Sequence, residues 1–189
     1  MKLLFCILAG GRSKRFNKDK RRINLLGKRL IDYPIESIES LKQKPILSLR
    51  FDDDFKTNHP AIKDQRPFLG PLCGILNVME HFEADFYIFL TADMPFITPE
   101  LLKTMTERLT DEFDAYVFEC NGIRLFPLSL SKRAKESLKN QGCANRSIRS
   151  FIEKLHLKTI PWRNCMDFFN INTEEDLKRA LSYLDSKAE

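Results

Sequence analysis

From Leu3 to Ala9 apolar side chains run almost without interruption and stop at Gly10-Gly11. A run of strand length that is apolar at both parities predicts a strand buried on both faces. Pro45–Phe51 and Phe86–Leu90 predict two more strands. Between the first two runs the period changes. Leu30, Ile31, Ile35, Ile38 and Leu41 share one face of a helix over Arg29–Lys42, with Pro34 near its start. A polar loop, Asp52–Phe68, leads to the segment Gly70–Gly74, after which Ile75–Phe82 predicts a helix. Thr98 suits the N-cap of a helix over Pro99–Leu109, with Pro99 at its first position. Asp114–Cys120 and Arg124–Leu130 predict strands joined by a tight turn at Asn121-Gly122. Ser131–Lys139 and Arg146–Leu155 read as helices, Leu157–Trp162 as a strand and Thr173–Leu184 as a closing helix. Thr173 and Asp176 there form a capping-box variant. Strands alternating with helices predict an α/β fold, a three-layer sandwich with a mostly parallel central sheet.

The chain has 189 residues and no repeat, low-complexity tract or linker, so residues 1–189 read as one domain. Apolar residues make up 43% of it, with 15 Phe, 4 Tyr and 1 Trp, enough for a full core, which excludes a disordered chain. No apolar run reaches membrane-spanning length, and Leu3–Ala9 lacks the flanks of a secretory signal. The expectation is a cytoplasmic protein without a membrane partner. The cysteines Cys6, Cys73, Cys120, Cys143 and Cys165 lie far apart, are odd in number and form no CxxC. That pattern fits a reducing cytosol better than a disulfide framework.

Net charge is +5, from 31 bases and 26 acids. Seven of the bases (Arg12, Lys14, Arg15, Lys18, Lys20, Arg21, Arg22) and one acid, Asp19, fall within Arg12–Arg22. Taking seven from 31 and one from 26 leaves 24 bases against 25 acids, so the excess is one local cluster. A cluster beside a Gly-Gly turn points to a phosphate-bearing ligand rather than a nucleic-acid track.

Two segments carry the chemistry. In Leu8–Lys20 a strand ends in two glycines, which lets backbone N–H groups approach an anion without a Cβ in the way. Arg15 and Lys20 can then neutralise a triphosphate, one by its fork and one as a point charge. Neither Walker A nor dinucleotide-binding spacing is present. The bland alternative is a βα turn followed by a solvated basic face. The second segment is Thr91–Pro95, where Asp93 follows the apolar run Phe86–Leu90. Ligands of open α/β sheets sit at the carboxyl ends of the strands, and a carboxylate there can hold Mg²⁺ against substrate phosphates. The bland alternative is an Asp that opens a turn before Pro95. His59, His81 and His156 share no metal-ligand spacing, and no nucleophile elbow is present.

With the Gly-Gly basic loop, Gly70–Gly74, Asp93-Met94-Pro95 and Asn170–Leu177 in this order, the sequence resembles the molybdenum cofactor guanylyltransferases over nearly its whole length. The resemblance implies a Rossmann-like nucleotidyltransferase core with a nucleotide-binding half over 1–110 and an acceptor half over 111–189. It implies transfer of GMP from Mg-GTP to the terminal phosphate of molybdopterin, with pyrophosphate released. Leu8, Ala9, Gly10 and Gly11 would meet the guanine and ribose, and Arg15 and Lys20 the phosphates. Asp64 would contact the base, Gly70 and Gly74 the nucleoside, and Asp93 the Mg²⁺. Asn170 and Asn172 would lie beside the acceptor or the metal. A GTP-binding adaptor and molybdenum-insertion proteins are the implied partners.

The chain departs from the family pattern at Phe16-Asn17, where Met-Gly is usual, at Leu49–Phe51 after the second strand, at Arg124-Leu125 and at Glu174. Alternatives that share the core are a molybdopterin cytidylyltransferase, a sugar-phosphate nucleotidyltransferase and an inactive nucleotide-binding module.

Overall fold

A computed structural model describes residues 1–11, 19–65, 70–144 and 147–188. In chain order the elements are β1 (Leu3–Leu8), a short hairpin of β2 (Asn24–Leu25) and β3 (Lys28–Arg29), α1 (Asp32–Glu39), β4 (Ile46–Leu49), β5 (Ala61–Lys63), α2 (Pro71–His81) and β6 (Phe86–Thr91). They continue with α3 (Pro99–Glu107), β7 (Ala115–Cys120), β8 (Ile123–Ser131), α4 (Ala134–Gln141), α5 (Ile148–Ile152), β9 (Leu157–Pro161) and α6 (Glu174–Ala188).

Seven strands form one sheet in the order β5-β4-β1-β6-β8-β7-β9. β8 runs against β6 and β7, and the other neighbouring pairs are parallel. From β1 the chain builds outward through β4 and β5, then returns to place β6 on the other flank of β1. That reversal makes the carboxyl ends of β1 and β6 a topological switch point, where ligands of open α/β sheets bind.

Alternation along the strands explains the unbroken apolar runs. Phe5, Ile7, Phe86, Ile88 and Leu90 face Ile35 and Ile38 of α1 and Leu101, Leu102 and Met105 of α3. Cys6, Tyr87 and Phe89 face Leu72, Ile75, Val78 and Met79 of α2, with Leu138 of α4 and Phe151 of α5. Helices cover both sides, so neither parity can be polar. A third, smaller cluster packs Leu25 and Leu30 at the β2–β3 hairpin against Ile171 and Ala180. It seats the hairpin that follows Lys20 against the start of α6.

Several boundaries differ from the sequence expectation. β5 lies inside the expected loop 52–68. It is three residues long and exposes Ala61 and Lys63 at the sheet edge, so no apolar pattern announces it. α2 begins at Pro71 rather than Ile75, because Gly70 at φ 96° turns the chain and proline is well tolerated in a first helical turn. α1 starts at Asp32 and α4 at Ala134, since Ser131 still belongs to β8 and donates its N–H to Asp114 O. α5 is shorter than 146–155.

The cysteine expectation is corrected. Cys73 pairs with Cys143 and Cys120 with Cys165, leaving Cys6 as a buried free thiol. Separations of 70 and 45 residues close only because α2 packs beside the end of α4, and because the segment after β9 returns to β7. Sequence spacing does not reveal such pairings. Among the described residues no helix is long and apolar enough to cross a membrane.

Candidate active site

The described residues among those singled out in the sequence gather along the carboxyl ends of β5, β4, β1 and β6. Leu8 ends β1, and the Ala9 N–H donates to Ser48 O at 2.8 Å, tying the start of the glycine turn to β4. A Cβ on Gly10 would sit 3.2 Å from Arg50 N and 3.3 Å from its Cγ, so the backbone approaches β4 too closely for a larger residue to fit easily. A Cβ on Gly11 would meet nothing within 4 Å among the described residues. Arg15 lies within 12–18, outside the described residues.

Lys20 is carried by a 3₁₀ turn, Lys20–Arg22, capped by the Asp19 carboxylate, which accepts the Arg21 N–H. Its ammonium is 2.5 Å from Asp93 Oδ2 and donates to Asn172 Oδ1 at 3.2 Å. Asp93 sits just past β6, only 5% exposed, and its Oδ1 has no hydrogen-bond partner among the described residues. The Ile171 N–H donates to Asp93 O at 3.0 Å, so the late asparagine segment is pinned to the same strand tip. Thr91 Oγ1 donates to Asn170 Oδ1 at 3.3 Å, while Asp176 Oδ2 accepts the Asn172 N–H at 3.0 Å and the Thr173 hydroxyl at 2.9 Å. Lys20, Asp93, Asn170 and Asn172, spread over 152 residues of chain, thus form one cluster.

Asp64 follows β5, and its N–H extends the ladder to Leu49 O. Its Oδ1 is buried without a partner among the described residues, and burial pushes its carboxyl pKa up. A Cβ on Gly74 would lie 3.2 Å from Ser48 Oγ and 3.5 Å from Asp64 Oδ1. Asp64, Gly74 and Ser48 therefore meet at one point, and the Ala9–Ser48 bond joins that point to the glycine turn. Gly70 is the N-cap of α2, four residues before Gly74.

Three residues in this region were not singled out as site-forming in the sequence. Arg21 reads there as one more base of the cluster, but it turns inward to Asp53, Asp19 and the Ala9 carbonyl. Asp53 sits in a run of three aspartates that gives no sign of a partner 32 residues away. Ser48 carries no signal, because a serine within an apolar strand has no distinctive pattern.

The residues fit a divalent cation. Asp93 offers a buried oxygen with no described partner, and Asn172 Oδ1 lies beside it, sharing Lys20. Among the described residues no group of three or more His, Cys, Asp or Glu side chains is placed to hold a metal ion. One carboxylate suits Mg²⁺, which keeps several waters and takes further oxygens from substrate phosphates.

The order and direction of the strands, with glycine turn, ammonium and carboxylate at their tips, place the chain among the α/β nucleotidyltransferases. Residues 5–159 match the model of the MobA-like NTP transferase domain, and the chain belongs to that family. It is 30% identical to a probable molybdenum cofactor guanylyltransferase of Bacillus licheniformis, over 94% of this chain and 96% of that one. The solved molybdopterin-guanine dinucleotide biosynthesis protein A of Archaeoglobus fulgidus superposes with a TM-score of 0.76 at 24% identity, covering 96% of this chain and 98% of the other. A Mycobacterium tuberculosis protein solved in complex with manganese shares the fold, with a TM-score of 0.77 at 13% identity over 96% and 98% of the two chains.

Proposed function

We propose that the enzyme transfers GMP from Mg-GTP to the terminal phosphate of molybdopterin, forming the guanine dinucleotide cofactor and pyrophosphate. The observation that carries this reading is the meeting of Lys20, Asp93 and Asn172 at the tips of the strands beside the glycine turn.

The incoming phosphate is already an anion, so the chemistry needs no general base. The obstacle is the approach of two polyanions, and catalysis consists of positioning and neutralisation. The glycine turn from Leu8 to Gly11 presents backbone to the nucleoside, and Arg15 and Lys20 meet the phosphates. Lys20, delivered next to the α-phosphate, stabilises negative charge passing to the leaving pyrophosphate. Magnesium, held by Asp93 with Asn172 alongside, would add Lewis-acid neutralisation of the same charge. Asp64 and the Gly70–Gly74 segment would read the base. A carboxylate matches the N1–H and 2-amino edge of guanine, and the wrong base would leave buried polar groups unpaired.

The test is pyrophosphate release from GTP that requires both molybdopterin and magnesium. Equal or faster turnover with CTP would overturn the guanine assignment. Nucleotide binding without pyrophosphate release would overturn the enzymatic one.

A further inference from the structure

Arg21 stands in the basic run and yet faces no solvent. The residue is 7% exposed, and its guanidinium spends all five N–H donors inside the protein. Nε and Nη2 donate to the two Asp19 oxygens at 2.8 and 2.7 Å. Nη1 and Nη2 donate to the two Asp53 oxygens at 2.5 and 3.0 Å, and Nη1 also reaches Ala9 O at 3.1 Å. The guanidinium carbon lies 4.5 Å from the centre of the Phe55 ring. Asp53 is itself held in place, since its Oδ1 accepts the Phe55 N–H at 3.0 Å.

Arg21 is spent on Asp19, which Arg22 also approaches at 3.4 Å, and on Asp53, so its charge is neutralised inside the protein rather than offered to a triphosphate. Stability alone does not explain it either, because well-packed apolar residues often serve as well as a buried ion pair. What the fork adds is register. It joins the end of β1 at residue 9, the cap of the Lys20 turn at residue 19 and the loop after β4 at residue 53. Residues 9 and 19 flank the segment that carries Gly10, Gly11 and most of the basic run, and Lys20 is the next residue.

We propose that Arg21 is a positioning residue for nucleotide transfer. It clamps Ala9 and Asp19, on either side of that segment, to Asp53 and so places the Lys20 ammonium at Asp93. This rests on the reading of the Lys20 site given above. A lysine at position 21 keeps the charge but cannot span three acceptors.

The test is a double-mutant cycle between Arg21→Lys and Lys20→Ala. It reads kcat and KM in the pyrophosphate assay and Kd for GTP and CTP by calorimetry, at a temperature where circular dichroism shows each variant folded. Arg21→Lys is expected to lower kcat/KM, or to weaken nucleotide binding, at least tenfold in the parent. In the Lys20→Ala background it should do so less than twofold. The same factor in both backgrounds, or parental kcat and KM in Arg21→Lys, would overturn the proposal. Should Arg21→Lys not fold, the isosteric Asp53→Asn goes through the same cycle with the same two outcomes. A parent that works on CTP overturns the substrate reading but leaves the cycle to be run with CTP. A parent inactive with both leaves the Kd cycle to decide.

Discussion

Asp93 does two jobs with two oxygens. Oδ2 takes the Lys20 ammonium, while Oδ1 stays buried and without a partner among the described residues, an arrangement that costs free energy until something cationic meets it. Asp93→Ala removes both and should lower kcat by about a thousandfold or more, equivalent to several kcal/mol of lost transition-state stabilisation. Steady-state kinetics on protein shown to be folded by circular dichroism checks it. Asp64 is a different kind of carboxylate. Burial raises its pKa, so over the range from the ordinary carboxylate value up to the raised one the folded state holds a proton that the unfolded state has lost. Stability from this group therefore falls as pH rises through that window. Asp64→Asn should raise Tm at pH 7 and change it little near pH 3, where the parent carboxyl is already neutral. Thermal melts at both pH values test this. If Asp64 reads guanine, the same variant should also narrow the gap between GTP and CTP affinity.

At the scale of elements, the start of α6 ties the last helix to the candidate site. The expected capping box is present in altered form. Thr173 Oγ1 accepts the Asp176 N–H at 3.1 Å, but the Asp176 side chain reaches back to the Asn172 N–H and the Thr173 hydroxyl rather than to the backbone of the capping residue. The cap therefore also holds the asparagine whose Oδ1 receives Lys20. Asp176→Ala should cost about 1 kcal/mol of stability, as loss of a cap does, and should reduce kcat well beyond what a small shift in Tm would explain. Thr98→Ala at the N-cap of α3 provides the comparison: a similar stability loss, with kcat unchanged. Equal kinetic effects in the two variants would separate Asp176 from the site. Elements with strong local signals were legible in the sequence. β1 and β6 are unbroken apolar runs, and the β7–β8 hairpin turns at Asn121 and Gly122, both at positive φ, as the residue types require. β5 was not legible, because three residues, two of them exposed, acquire strand character only from pairing with β4. The inward turn of Arg21 was hidden for a related reason: a base within a basic run looks like its neighbours until a distant carboxylate is brought beside it.

Over the whole molecule, Lys20, Asp93, Asn170 and Asn172 were legible as separate motifs, but their convergence depends on strand order, and the cysteine pairing depends on it even more. Each disulfide has one partner close to a segment of the candidate site. Cys73 lies in the first turn of α2 beside Gly74, and Cys165 opens the turn that leads to Asn170. Both close long loops, of 70 and 45 residues. In the chain-entropy account each such closure destabilises the unfolded state by about 4 kcal/mol. Protein denatured without reductant should therefore show one reactive thiol per chain, from Cys6, and five after reduction. Reductant should also lower Tm by roughly ten degrees or more, since about 1 kcal/mol shifts Tm by a few degrees at this chain length. Loss of the two bridges would loosen the segments that carry Gly74 and Asn170. Cys73 fastens the first turn of α2, and the Cys120–Cys165 bridge ties the approach to Asn170 to the end of β7. Mild reduction below Tm should then weaken nucleotide affinity while the far-ultraviolet circular dichroism is retained. Five free thiols in the unreduced protein would remove the basis for this expectation.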